Sequence, residues 1–401
     1  MDFQSVNPLN VRINLISGNL FPMTTDNTRF PVVWKIYSAF VWFVISVIVI
    51  GYFFGLVNVS KRKAISDGMI GTVFIVEVFF MVARIHMRKN LVLQLIQNMN
   101  EILRVQDETM RRTVIKSLKL MHSPFKFYWL SGAVTAIIWI IVPVGTVFKR
   151  NFFFYEDYRL PFAISKQPFS TEIFLIGNLL LVFCSVYVLI KKAAVDIYML
   201  NFVMLMTAQY QYISLKLKEV LRKEYSPNKL DETKRTNYSE IDFERKMEIK
   251  RICRHHSTVI RMSAMLKELL SLSFSLIYVN NILRFSFVGV MLLNTALLKT
   301  VIERIAMVCF ACGELIQFFI LCFNVQKLLD ASREITDRGF HENWYQSRPT
   351  IKHTFMLLML SNKLTCKLAS FENFSISLPS FMTVMNQAYS IALLCLKIVK
   401  K

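Results

Sequence analysis

Acidic residues are scarce in this chain: 27 Asp and Glu stand against 48 Lys and Arg in 401 residues, a formal charge of +21. Glycine and proline are scarce too, at 11 and 10. With few such breaks and no internal repeat, a transporter built on unwound helices is disfavoured. Histidine numbers six, and the chain has no HExxH, GxSxG, Gly-rich phosphate loop or paired catalytic carboxylate pattern. No enzyme activity, cofactor or metal is therefore expected. His255 and His256 are adjacent, so on a helix they point about 100° apart and cannot easily grip one ion. The first thirty residues hold no basic region followed by an apolar core, which predicts no cleaved signal peptide. The seven cysteines (Cys184, Cys253, Cys309, Cys312, Cys322, Cys366 and Cys395) mostly lie in apolar runs, which predicts buried thiols.

What abounds is apolar surface. Hydrophobic residues make up 54% of the chain, Phe alone numbers 34, and the mean hydropathy is +0.42. That is too apolar for a soluble domain of this length and points to a tight helical membrane bundle. In such a protein the basic excess belongs to loops facing the cytosol rather than to nucleic-acid binding.

Length and apolarity predict seven spans. They are Trp34–Val57, Asp67–Met87, Phe127–Phe148, a fourth from Thr171, Leu266–Leu293, Val301–Phe323 and Leu378–Val399. The Lys and Arg distribution favours a cytosolic N-terminus and an extracellular C-terminus, since the basic intervals Arg84–Lys126 and Lys191–Lys267 then fall inside. The cluster Lys61-Arg62-Lys63 sits on the wrong side, whereas the glycosylation triplet Asn58-Val59-Ser60 suits it. A G-protein-coupled receptor has the opposite orientation. No Asp-Arg-Tyr follows the third span, and no NPxxY stands in the seventh.

The helical pattern of the fourth span continues through Leu217, with an irregular apolar stripe at Leu200, Val203, Met204, Ala208, Ile213, Leu215 and Leu217. A similar approach from about Glu244 precedes the fifth span. With the extension Val325–Ile335 of the sixth and a short helix near Thr354–Leu364, these predict a cytosolic assembly, or anchor, domain. The expected fold is an all-α membrane protein, divided into an N-terminal segment 1–33, six helices with their extensions over 34–323, anchor helices over 324–377 and a final helix 378–401. Inside that last helix Asn386, Gln387, Tyr389 and Ser390 cluster. Polar groups are expensive in hydrocarbon and face protein or water, so this helix is a candidate pore liner. Tyr389, Leu393 and Leu396 share one face at i, i+4 and i+7. With Ala392 beside them, the leucines are candidates for an apolar constriction, and Gln387 and Ser390 would hydrate ions below it.

The stretch SISLPSFMTVMNQAYSIALL resembles the terminal helix of insect odorant receptors, with Ala388-Tyr389-Ser390 at its centre. LLDASREITDRGFHENWYQ resembles the segment that follows the sixth span in that family, through Asp330, Ser332 and Trp344; Phe340 stands where Tyr is usual. Leu160-Pro161-Phe162 looks like the start of the family's second extracellular loop. The long insertion of the family's co-receptor subunit, between the fourth and fifth spans, is absent, so the chain resembles a tuning subunit. The resemblance implies a multi-pass plasma-membrane protein of olfactory neurons. It would assemble with the co-receptor as a heterotetramer, bind a small volatile ligand and open a nonselective cation channel.

By the family's pattern the second, third, fourth and sixth spans would frame the ligand pocket. The candidates are Val73, Phe74 and Glu77 on the second, Thr135, Trp139 and Pro143 on the third, Asn178 and Leu181 on the fourth, and Met307, Phe310 and Glu314 on the sixth. An intramembrane carboxylate is a functional candidate by default. Glu77 shares a helix face with Arg84, seven residues on, and an ion pair within or between spans is the alternative role. A gustatory receptor of the same superfamily is the nearest competing identity; its Thr-Tyr…Gln-Phe pattern is replaced here by Ala388-Tyr389 and Cys395-Leu396.

Overall fold

The computed structural model describes residues 1–24, 30–64, 68–104, 107–119, 122–148, 150–222, 235–293, 301–342, 344–346, 349–369 and 376–399; within the helices the side chains of several residues, Thr135 and Trp139 among them, lie outside this description. The chain is almost wholly helical. In order come α1 (Phe3–Val6), α2 (Pro8–Ile16), α3 (Val32–Val57), α4 (Lys61–Lys63), α5 (Met69–Met87), α6 (Lys89–Leu103), α7 (Glu108–Lys119), α8 (His122–Ile141), α9 (Thr171–Arg222), α10 (Arg235–Leu293), α11 (Val301–His341), α12 (Pro349–Ala369) and α13 (Leu378–Val399). A two-residue hairpin of β1 (Phe152–Phe153) and β2 (Phe169–Ser170) pairs antiparallel between α8 and α9.

The expected spans coincide closely with α3, α5, α9, α10, α11 and α13. The third departs: its α-helix stops at Ile141 and a 3-10 turn continues over Val142–Phe148. Pro143 lacks an N–H and cannot extend the α ladder. Among the described residues six helices are long and apolar enough to cross a membrane, those beginning at α3, α5, α8, α9, α10 and α11. The seventh candidate, α13, is long enough, but Asn386, Gln387 and Ser390 dilute its apolarity.

Helices α9, α10 and α11 hold 52, 59 and 41 residues. At 1.5 Å per residue the first two run about 80 to 90 Å, against about 30 Å of hydrocarbon. They therefore project far beyond the apolar layer at one end, here the extension end; the end carrying the β hairpin is the hairpin end. The stripe expected on α9 is instead burial on every side, since each residue from Lys191 to Tyr210 is buried. Its neighbours include α2, α7, α10 and α11.

The N-terminal segment plugs this core. Phe3 stacks on Phe202 at 4.7 Å, and Phe21 lies 4.9 Å from Tyr198. The Asn14 amide clamps the Phe21 backbone from both sides, donating to its carbonyl at 3.0 Å and accepting from its N–H at 2.9 Å. Gly18 turns the chain at φ +66°, a conformation open to glycine at little cost. The buried Lys191 ammonium then donates to the Ser17 carbonyl at 2.7 Å and sits over the Trp42 ring.

The cysteine expectation holds only in part. Of the six described, Cys184 and Cys322 are buried, while Cys309 and Cys312 are exposed on α11. They stand on an apolar outer face of a membrane-type helix, where apolar sequence and solvent-side position coincide. Exposure to lipid produces that combination, and a core assignment from hydropathy cannot tell the two apart.

At the extension end, α10, α11 and α12 are fastened by polar contacts. His256 Nε2 donates to Asn362 Oδ1 at 3.1 Å, and the Asn362 amide donates to the Ser332 carbonyl and Thr336 Oγ1, both at 2.8 Å. His255 Nε2 donates to Gln209 Oε1 at 3.2 Å. Both imidazoles lie outside the apolar part of α10. Burial pushes His255 down to about 4, with the His256 charge adding to this, and burial lowers His256 despite its Asn362 bond. A histidine whose folded-state value is depressed stabilises the fold above its ordinary value near 6.5 and loses that contribution as pH falls. The thermal midpoint of the purified protein should therefore drop as pH falls from about 6.5 to 4, and less so in His255→Gln. Asn362→Ala should cost about 1–3 kcal/mol by stranding buried partners, measured as a lower midpoint at pH 7.5.

Candidate functional site

A cavity of about 140 Å³ opens among the helices toward the hairpin end. Its walls are Ile48, Val49 and Tyr52 of α3; Ile70, Gly71, Phe74 and Ile75 of α5; Gly132, Ala136 and Ile140 of α8; Leu181, Cys184, Ser185, Val188 and Leu189 of α9; Phe310 of α11; and Leu160 of the loop. The lining is almost entirely apolar. The Tyr52 hydroxyl is engaged with the Gly68 carbonyl, and Thr72 Oγ1 lies 3.1 Å away. Small residues make the space: a methyl group added to Gly132 would meet only Leu189 Cδ2, at 3.8 Å.

The loop between α8 and α9 roofs the cavity. Phe153 stacks on Phe174 at 4.2 Å, and Tyr158 packs 4.9 Å from Phe174 and 5.7 Å from Phe169. The Ala163 N–H donates to the Gly51 carbonyl of α3 at 3.0 Å. At Gly55 an added Cβ would stand 2.6 Å from the Pro161–Phe162 backbone, so only glycine admits this approach. Arg159, beside the wall residue Leu160, pairs with Glu303 at the start of α11 at 3.5 Å, both nearly buried.

Beyond the cavity wall lies a buried ionic cluster. Arg284 of α10 binds Glu77 of α5 through Nη2 and Glu314 of α11 through Nη1. Lys192 of α9 binds the other Glu77 oxygen at 2.8 Å and Asp196 at 3.1 Å, and Gln317 of α11 donates to Asp196 at 3.0 Å. Four helices are thereby tied through side chains that are all essentially buried. Arg284 also lies over the Phe74 ring, 4.2 Å from its centroid, so one aromatic ring separates cavity from cluster.

Of the residues expected to hold a ligand, Phe74, Leu181 and Phe310 line this cavity. Glu77 and Glu314 are instead charge partners of Arg284, and Arg84, which shares a helix face with Glu77, bonds the Glu268 carbonyl. Val73 is buried outside the lining, and Met307 packs with Val288 and Met291 between α10 and α11. Asn178 is buried with its amide donating to the Phe174 carbonyl at 2.9 Å. Pro143 lies half-buried in the 3-10 turn, while the Thr135 and Trp139 side chains lie outside those described. Sequence reasoning missed α3 and Leu160 altogether. The glycines at 51 and 55 on α3 were the available signal, since a GxxxG pair marks close approach of another backbone.

On α13, Val384, Ala388 and Ala392 form a buried stripe at four-residue spacing. They face α10 and α11, where Phe381 meets Phe318 at 5.6 Å. Ala392, expected beside a pore constriction, is 2% exposed, and a Cβ on Gly289 of α10 would stand 3.1 Å from its own. The opposite face is open: Tyr389 (63% exposed), Ser390 and Leu393 (39%) point away from the described residues, while Gln387 is exposed at its edge and accepts from the Tyr278 hydroxyl of α10 at 3.4 Å, and Leu396 is half-buried.

The 7tm Odorant receptor family model matches residues 63–389. Odorant receptor 59b of Drosophila melanogaster is 26% identical over 136 residues, a stretch that spans 34% of this chain and 33% of that relative's length. The fold is similar to that of the insect olfactory receptor OR5 from Machilis hrabei, at a TM-score of 0.77 and 12% identity over 98% of this chain and 97% of that one. The same receptor in complex with eugenol aligns at a TM-score of 0.72 and 13% identity, over 98% and 100%.

Breaking the cluster on one side should be severe. Arg284→Ala leaves Glu314 without its buried cation and Glu77 with Lys192 alone, a loss of about 3–5 kcal/mol. The expected outcome is little folded protein at the cell surface, whereas Glu314→Gln, which keeps shape and hydrogen bonding, should be recovered in quantity. Equal surface yields for the two variants would contradict the assignment.

Proposed function

The chain belongs to the 7tm odorant receptor family, and on that premise we propose that it is a tuning subunit that binds a small volatile ligand in the cavity beneath the hairpin loop and opens a nonselective cation channel with the odorant co-receptor. The observation that carries the ligand half is the cavity itself. At about 140 Å³ it matches a space that stays dry and binds benzene-sized molecules. Its apolar walls favour compounds that bury carbon and present few hydrogen-bond donors, since an unpaired polar group would be stranded there. Binding then rests on area removed from water, about 25 cal/mol per Å², which favours micromolar affinity and loose selectivity. Eugenol, the compound in the complex of the related receptor, is a fitting first probe.

The channel half rests on α13. Its outward face carries Asn386, Tyr389, Ser390, Leu393 and Leu394, all exposed among the described residues, with Gln387 at the edge beside the Tyr278 hydroxyl of α10. Placed about a shared axis with copies from partner subunits, such a face wets a path at its polar residues and closes it at Leu393 and Leu396 by dewetting. Lysine placement favours the N-terminus inside, so that the hairpin end faces outward to the odorant and the long extensions form the cytosolic anchor. A plasma-membrane protein of sensory neurons follows from that role.

The test is current recorded from cells expressing the chain with the co-receptor, against a panel of apolar volatiles that includes eugenol. Gly132→Leu should fill the cavity and shift half-maximal concentrations at least about tenfold, or 1.4 kcal/mol, with surface expression retained. An unshifted curve would remove this cavity from the ligand site. In the same cells a water-soluble thiol reagent should modify Leu393→Cys faster in the presence of an effective volatile and leave Ala392→Cys untouched. Equal rates with and without the volatile would refute the gate.

A further inference from the structure

We infer that the contact between Phe74 and Arg284 is the element through which occupancy of the cavity is reported to α13, an inference that rests on the ligand and pore roles proposed above. Phe74 is a wall of the cavity on one side. On the other, the Arg284 guanidinium lies over its ring, 4.2 Å from the centroid. Arg284 is fully buried and its two terminal nitrogens are spent on Glu314 and Glu77. Its Nε has no hydrogen-bond partner among the described residues. The face of Phe74 is therefore what supports the rest of this cation, through the attraction of a positive charge to the ring's negative face. A ligand that tilts Phe74 must disturb Arg284.

Arg284 stands on the helix that touches α13. Residues two apart on a helix point about 200° apart, so Ser286 faces away from the cluster. Its Oγ lies 2.6 Å from the Ile282 carbonyl and 3.2 Å from the Ala388 carbonyl of α13. One hydroxyl proton thus has two acceptors, one within α10 and one on α13. Five residues beyond Arg284, Gly289 abuts Ala392. The same two turns of α10 meet the cavity wall on one face and the back of the proposed pore helix on the other. Because the cluster also ties α5, α9 and α11, Arg284 cannot yield alone: it moves only if α10 moves against them. A small ring displacement then becomes a shift of a rigid rod.

The coupling is read by a double-mutant cycle in the complex with the co-receptor, using Phe74→Leu, which removes the ring but keeps an apolar wall, and Ser286→Ala, which removes the hydroxyl facing α13. The readout is maximal evoked current at saturating probe, normalised to surface expression, so that altered affinity does not enter. The probes are eugenol and a panel of apolar volatiles of benzene size and above. Each single variant is expected to lower that maximum about fivefold or more, and the double variant to be no worse than the weaker single one. Phe74→Tyr, which keeps the ring face over Arg284, should recover most of the maximum that Phe74→Leu loses, even where its half-maximal concentration shifts; if Phe74→Leu does not reach the surface, Phe74→Met takes its place. Multiplying losses in the double variant, or a full maximum in either single one, would overturn the coupling while leaving the ligand site standing. A wild-type complex silent to every probe would sink the functional reading, and this inference with it.

Discussion

The bundle is organised by one buried arginine. Helices in lipid gain little from burying apolar surface against one another, because the acyl chains are as apolar as leucine. Register and rotation must come from elsewhere, and here they come from Arg284 and its carboxylates. Glu77, Lys192, Asp196 and Glu314 each sit where only one rotation of their helix brings them to the cluster. Burying five ionised groups is costly and is offset only by full pairing. The arrangement is therefore weak evidence for added stability and stronger evidence for a uniquely specified packing.

That specification fixes the cavity. With α5, α9 and α11 tied at the cluster, the space beside it is closed by α3 and α8 as well, and Gly71, Gly132 and Ala136 are the small residues in its lining. Roofing is delegated to an aromatic loop held by a backbone contact at Gly55 and by the Arg159–Glu303 pair. The wall that faces the cluster is the Phe74 ring, so an apolar binding space and a charged structural centre share a single side chain.

The far end of the molecule is treated differently. There α9 is enclosed on all sides over Lys191–Tyr210, and the N-terminal segment closes the junction with Phe3 and Phe21. Asparagines and histidines join the extended helices through bidentate amide contacts, which demand defined geometry where apolar contacts tolerate sliding. Helix α13 keeps a face that is exposed among the described residues and carries hydroxyl and amide groups. In the role proposed above, that face would meet the partner subunits.

Much of this was legible in the sequence, because helix length, apolarity and period are local properties of the chain. The bounds of α13, the starts of α9 and α11, and the helical continuation of α9 and α10 past any bilayer follow from them. So does the family, from residues such as Leu378-Pro379-Ser380-Phe381, Asp330 and Trp344. The polar stripe of α13 was also readable, but which of its residues face outward was not: Ala392 sits among gate candidates by spacing and turns inward because Gly289 leaves room for it. For Glu77 and Glu314 the sequence established only that charge stands in an apolar span, with ligand and ion pair both open. Partners 207 and 30 residues away from Arg284 are chosen by the packing of three helices, and no local pattern encodes that distance. The sequence determined which segments are helices and what kind of solvent they meet, since each residue carries that information itself. The tertiary structure decided which side chains meet, and with them the cavity and the cluster, because such contacts are set by the rotation and register of helices far apart in the chain.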